Sequence, residues 1–291
     1  MKFTQTRKTA VAIIASAALL AACGSGTESA TSASATAAAD VECSKDALST
    51  LTAGTLTIAT GEPAYSPWVE DDAPESGKGF ESAVAYAVAN KLGYTNDEVT
   101  WVRTTFDGAI APGPKTFDFN LQQYSITDDR KKVVDFSSSY YNTPQAVITV
   151  KGSAIDGKTA IADLATAKLG VGVGTTAVDV VTNTIGAEPQ VFNDNAAAVA
   201  ALKNGQIDGL VVDLPTAFYL SAVEVPNGII VGQLENSAAN DAGAGLLLLR
   251  RLHRSRQRRA GEEGAGCGAC QCRVLQGAGV VSGMSHAADT G

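Results

Sequence analysis

Histidine and cysteine are nearly missing from the middle of this chain. Both histidines, His253 and His286, lie beyond residue 250, and no cysteine falls between Cys43 and Cys267. Imidazole acid–base chemistry is thereby excluded from everything before residue 253. A disulfide from Cys43 has only the tail cysteines as distant partners, and the sequence does not select among them. Cys267, Cys270 and Cys272 sit close together, but no histidine stands at zinc-finger spacing, so no metal is expected. Positive charge is scarce too. Lys and Arg number 22 against 30 Asp and Glu, for a net charge of -8 and a pI near 4.8. That balance argues against a nucleic-acid partner, which attracts a basic face. The leading apolar run, residues 11–20, is too short to span a bilayer as a helix.

What is present begins with a secretion signal over residues 1–22: Lys2, Arg7 and Lys8, then the apolar run, then Leu20-Ala21-Ala22-Cys23. The small residues before Cys23 form a lipoprotein cleavage box, so Cys23 is expected to carry lipid. Each buried methylene of such a chain contributes about 0.8 kcal/mol, enough for several chains to hold the protein at the outer face of the cytoplasmic membrane. Residues 23–48 then read as the lipidated end and a flexible tether. Ser, Thr, Ala and Gly dominate residues 24–40, a coil of roughly 20–25 Å mean span.

From residue 55 the pattern alternates strand and helix. Residues 55–59, 99–102 and 119–122 read as strands, and 78–92 as a helix with Phe80, Ala83, Val84, Ala87, Val88 and Leu92 along one face. Pro112 and Pro114 break any regular helix over 109–119, which reads as a shaped loop. A second set follows: strands at 146–150, 169–173, 190–192 and 207–212, and helices at 161–165, after Gly174-Thr175-Thr176, and at 195–203. Thr176 and Asp179 have capping-box spacing. Alternating units imply parallel sheets covered by helices, an α/β class. The segments divide into lobe one (49–144), lobe two (145–232) and a return to lobe one (233–249), a double crossing that permits hinge closure.

The run from Ser125 to Tyr141 places a hydroxyl and a guanidinium, Ser125 and Arg130, at the start of a short helix opened by Thr127. Such a start can hold an arginine firmly enough to grip a carboxylate with parallel hydrogen bonds. Taken alone, Arg130-Lys131-Lys132 would be a solvated basic patch. Together with Glu62-Pro-Ala-Tyr65-Ser-Pro-Trp68, Gly79-Phe80-Glu81, Gly174-Thr175-Thr176 and Val211-Val212-Asp213, the run resembles the extracellular solute-binding proteins, family 3, over residues 54–245.

The resemblance implies a two-lobe, type II periplasmic-binding-protein-like fold with its ligand cleft between the lobes. It also implies a monomer that captures a free amino acid with a polar side chain and delivers it to an ABC permease, with no cofactor. Arg130 would take the ligand carboxylate, with Ser125 and the backbone near Gln123 donating beside it. Thr175 and Thr176 would sit at an anion-binding turn of the other lobe, and Asp213 would take the ammonium at a strand end. Tyr65, Trp68 and Phe106 would wall the side-chain pocket, with Glu62 facing a polar or cationic group. Trp68 and Phe106 could equally be plain core, Asp213 could merely cap a turn, and Glu62 could face solvent.

Beyond residue 249 the composition breaks. All twelve lysines lie at or before Lys203, seven of the ten arginines fall between Arg250 and Arg273, and no Phe, Tyr or Trp follows. We expect an aberrant tail over 250–291 that begins with a shifted reading frame near residues 242–249; the other reading is a basic tail for anionic lipid. Two other functions fit the lobes: a dehydratase-like enzyme acting on a small carboxylate, for which Glu62 is the one obvious acid, and a sensor without transport. A binding protein that is not an enzyme is the expectation.

Overall fold

The computed structural model describes residues 45–234 and 244–248. The secretion signal, Cys23, Cys43, the tether through residue 44 and the tail from residue 250 lie outside the described residues. Among the described residues no helix is long and apolar enough to cross a membrane.

Strand β1, Leu56–Thr60, is buried along its whole length. It pairs in parallel with β2, Val99–Arg103, and with β3, Phe119–Asn120. Alternation sends Leu56 and Ile58 to one face of the sheet, against Val84, Ala85, Val88 and Ala89 of helix α1 (Phe80–Lys91). Ala59 goes to the other face, among Ala109, Phe117 and Tyr124. The buried stripe of α1 is rotated from the expected one: Glu81, Ser82, Ala85 and Ala89 are buried, whereas Ala83 and Ala87 are only partly so. The cause is Glu81, whose carboxylate is drawn inward by hydrogen bonds from Gln123 and Tyr140.

The start of α1 has no side-chain cap. Its orphan amides are satisfied instead by a neighbouring loop: Phe80 N–H donates to the Pro67 carbonyl (2.8 Å) and Glu81 N–H to the Trp68 carbonyl (2.9 Å). Gly79 makes that approach possible, with φ 96° and no room for a Cβ, which would stand 2.5 Å from the Trp68 oxygen. Gly79→Ala is therefore expected to lower stability by about 2–3 kcal/mol. Urea unfolding checks this, and a loss within experimental error would contradict the packing described.

The chain leaves the first sheet through β4, Asp135–Tyr141, and enters a second at β5, Gln145–Val150. The second sheet adds β6 (Leu169–Gly172), β7 (Gln190–Phe192), β8 (Gly209–Asp213) and β9 (Gly228–Leu234) in the order β7-β6-β8-β5-β9. Strand β10, Ala244–Leu248, then inserts between β3 and β4, giving β2-β1-β3-β10-β4. The sheets are mixed rather than parallel. β5 runs antiparallel to β8 and β9, and β10 antiparallel to β3 and β4, because strands on either side of the crossings enter from the opposite end. Both faces of the second sheet are covered: Ala146, Ile148, Leu210 and Val212 on one side, Val147 and Val211 on the other.

Short helices fill the connections: α2 (Phe106–Ile110), α3 (Asp128–Lys131), α4 (Ala177–Asp179), α5 (Asn195–Lys203) and α6 (Leu214–Tyr219). Helix α2 corrects the expected loop at its first residues. The two prolines act only after it, and the Lys115 ammonium closes its end by donating to the Gly108 carbonyl (2.7 Å). The capping box at Thr176 does not form, since Thr176 is itself helical and makes no cap bond. Residues 161–164 are a 3-10 turn, and α4 continues as a π-helical stretch, Val180–Ile185.

Candidate functional site

A cavity of about 480 Å³ lies between the two sheets and is bordered by both. All ten residues singled out for binding line it: Glu62, Tyr65, Trp68, Phe106, Gln123, Ser125 and Arg130 from the first lobe, Thr175, Thr176 and Asp213 from the second. That volume falls in the range of small-molecule sites.

Arg130 reaches both lobes. Thr127 caps α3 by accepting from the Arg130 N–H (3.3 Å), which fixes the backbone from which the guanidinium projects. Its Nη1 donates to the Ser125 carbonyl (2.8 Å), and its Nη2 crosses to the other lobe and donates to the Gly174 carbonyl (2.7 Å). The guanidinium lies 5.4 Å from the Phe106 ring centre and 5.8 Å from that of Tyr124, within cation–π range. Only 8 % of Arg130 is exposed, and among the described residues it forms no ion pair. Burial lowers its pKa from the ordinary value, with Tyr124 and Asp213 opposing the shift. A buried cation without a directly paired anion is costly.

Asp213 ends β8 and opens α6, yet its carboxylate makes no cap bond. Burial pushes its pKa up to about 6, while a hydrogen bond from Gln145 and the charge of Arg130 pull it back. Thr176 contributes a buried hydroxyl 3.5 Å from that of Ser125, and it accepts from Gln145 Nε2 (2.9 Å). The Thr175 hydroxyl is spent within its own turn, donating to the Gly172 carbonyl (2.7 Å).

Two expectations need correction. The backbone amide of Gln123 is not available to a ligand, because it donates to Glu81 Oε1 (2.8 Å); a left-handed φ of 54° turns it that way. Trp68 is chiefly a link between lobes rather than an open wall. It is 2 % exposed, packs edge-on against Phe80 and Tyr141, and donates from Nε1 to Thr216 Oγ1 (2.9 Å) in the second lobe. Tyr65 also spans the cleft, its ring 5.7 Å from that of Tyr219. Phe106 stacks on Tyr124 at 4.4 Å. Glu62 is exposed at the cavity wall.

Sequence reasoning missed Gln145, Asp107 and Asp194 on the cavity wall. It also missed Glu81 behind it, where burial, with a smaller contribution from Asp213, pushes the pKa up to about 7 against the hydrogen bonds of Tyr140 and Gln123. Asp194 had a legible signal, its place before the apolar helix that it caps through the Ala197 amide (2.7 Å). Gln145 and Glu81 depend on partners far away in sequence.

Glu81 and Asp213 both hold protons more tightly when folded than their ordinary values allow. Their contribution to stability is therefore complete below about pH 4 and is lost as pH rises through about 6 to 7. The lowered carboxyls, Glu98 and Asp129, pull the other way, but their pairs are at the surface and screened. The unliganded protein is expected to melt higher at pH 5 than at pH 8; thermal unfolding with the opposite order would contradict these assignments.

The sequence pattern of the bacterial extracellular solute-binding proteins, family 3, matches residues 56–203. The chain belongs to that family. A probable histidine-binding protein of Campylobacter jejuni subsp. jejuni is 34% identical over 167 residues, covering 56% of this chain and 62% of the relative. The L-cystine-binding protein TcyJ of Escherichia coli (strain K12) is 30% identical over 195 residues, 66% of this chain and 71% of the relative. Among solved structures, an ancestral arginine-binding protein bound to arginine matches at TM-score 0.55 and 28% identity, over 72% of this chain and 93% of that one. The ancestral amino acid-binding protein AncCDT-1, a precursor of cyclohexadienyl dehydratase, matches at TM-score 0.54 and 27% identity, over 72% of this chain and 90% of that one. The fold is accordingly the two-lobe, type II arrangement of periplasmic amino-acid-binding proteins.

Proposed function

We propose that this family 3 protein is a lipid-anchored receptor that captures an amino acid outside the cytoplasmic membrane and delivers it to an ABC permease. Cys23 carries the anchor, and the receptor acts as a monomer by closing and opening rather than by catalysis. The observation that carries the reading is Arg130, a buried guanidinium without an ion-pair partner among the described residues, bordering the same cavity as the half-buried carboxylate of Asp213. A zwitterion offers the counter-charge to each.

The ligand's side chain is polar, and a cationic one fits best. Once Arg130 and Asp213 are assigned to the two poles, Glu62, Asp107 and Asp194 remain on the cavity wall with no further cation among the lining residues. Burial foremost, then the charges of Glu224 and Asp194, push the Tyr65 hydroxyl up to about 12 at that end of the cleft. Relatives described as binding histidine or arginine are consistent with this reading, while the cystine-binding one marks its limit as an analogy.

Titrating Trp68 fluorescence with the twenty amino acids tests the proposal. Saturable changes at micromolar concentrations, with arginine, lysine or histidine foremost, are expected; no response to any of the twenty would sink it. Affinity should also fall on acidification. The ammonium needs an ionised Asp213, and with a pKa of about 6 only about one-tenth of it is ionised at pH 5, so binding weakens about tenfold from pH 7.5. Calorimetry at the two pH values checks this, and unchanged affinity would contradict it.

The dehydratase precursor among the structural neighbours keeps a second reading in view, a small-carboxylate dehydratase using Glu62 as its acid. A product assay comparing wild type with Glu62→Gln decides between the two.

A further inference from the structure

We infer that Gln145 is the positioning residue of the ammonium pole: its side-chain nitrogen ties the Asp213 carboxylate to the Thr176 hydroxyl, so that both parts of the second lobe's site move as one. The inference rests on the amino-acid reading above and deepens it.

Gln145 is the first residue of β5, the strand the chain enters on leaving the first lobe. The register of the antiparallel pair sets it directly opposite Asp213 at the end of β8. It is 3 % exposed and borders the cavity. Its Nε2 donates to Thr176 Oγ1 (2.9 Å), and from its place across the ladder from Asp213 its amide favours the charged carboxylate, holding that pKa down against burial. An ionised carboxylate only accepts, so the amide nitrogen, which Thr176 also accepts from, is the end that suits Asp213. The consequence is visible at the other atom: Gln145 Oε1 is buried with no hydrogen-bond partner among the described residues. A buried acceptor left unpaired is costly. The side chain thus leaves its oxygen unpaired and keeps its nitrogen on the Thr176 hydroxyl, with Asp213 directly across the ladder. The remaining groups that bear electrostatically on Asp213 are Arg130 of α3, which favours its charge, and Glu81 of α1 and Tyr140 of β4. Gln145 is the neutral donor among them.

The test compares L-arginine with 5-guanidinopentanoate, the same molecule without its α-ammonium, and L-glutamine with 4-carbamoylbutanoate, on wild type, Gln145→Met and Gln145→Glu. Gln145→Met is expected to weaken each amino acid about 10- to 100-fold, the scale of hydrogen bonds to a charged group. It should leave each deamino acid within about threefold and move the pH midpoint of amino-acid binding upward. Gln145→Glu keeps the shape and adds a like charge beside Asp213, so its midpoint moves further up; it decides the matter if the methionine variant fails to fold. Equal weakening of an amino acid and its deamino partner, or an unmoved midpoint in a folded variant, overturns the inference and leaves the receptor reading intact. Failure of wild type to bind either amino acid overturns the polar-amino-acid reading, and the inference with it.

Discussion

Arg130→Ala should abolish amino-acid binding at any practical concentration, an expected loss of about 1,000-fold or more. Removing one partner of a desolvated charge pair costs about 3–5 kcal/mol, because the other charge is left buried alone. Here the stranded charge would be the ligand's own carboxylate. The unliganded variant should nevertheless stay folded. It loses the bonds to the Ser125 and Gly174 carbonyls, but it also loses an uncompensated buried cation, and these changes oppose each other. Fluorescence titration paired with a thermal melt distinguishes the cases. Retained micromolar affinity would show that the guanidinium serves the fold, and a collapsed melt would show that it holds the lobes together without help from a ligand.

Asp213→Asn is the second large effect, about 100- to 1,000-fold weaker binding, on the scale of losing a charge-assisted hydrogen bond in a desolvated site. The amide keeps the shape and removes the charge. Two consequences accompany the loss. The acid-side fall in affinity near pH 6 should vanish, since the group responsible no longer titrates. The unliganded protein should also become less sensitive to pH between about 5 and 7, leaving Glu81 as the main contributor. Full affinity in the asparagine variant would move the ammonium contact to another acid on the cavity wall.

Much of this architecture was legible because its signals are local. Helix α5 reads correctly from Asn195 to Lys203 because Asp194 caps its start, an apolar run fills it, and Gly205 takes a left-handed conformation after it. The place of Arg130 and Asp213 at the cavity was legible from the Ser125–Tyr141 run and from a strand ending in an acid. What escaped depends on pairing across the molecule. The antiparallel placement of β5 and β10 is decided by where the chain re-enters a sheet, which the strand sequences do not encode. The start of α1 looked uncapped because its partners are backbone carbonyls of the loop at Pro67 and Trp68. Glu81 reads as the polar start of an amphipathic helix until Tyr140 and Gln123 close over it. Thr176 reads as a cap until Gln145, 31 positions earlier, takes its hydroxyl. Trp68 could be assigned as wall or core, but a bond to Thr216, 148 positions away, was beyond any local pattern.

The account stands on opposite charges in the two lobes that together hold both poles of one zwitterion. Calorimetry of wild type with L-arginine, with agmatine, which lacks the carboxylate, and with 5-guanidinopentanoate, which lacks the ammonium, tests that most directly. Arginine should bind with micromolar affinity, and each truncated compound should bind at least about 100-fold more weakly. Binding of either truncated compound as tightly as arginine would contradict the two-pole site.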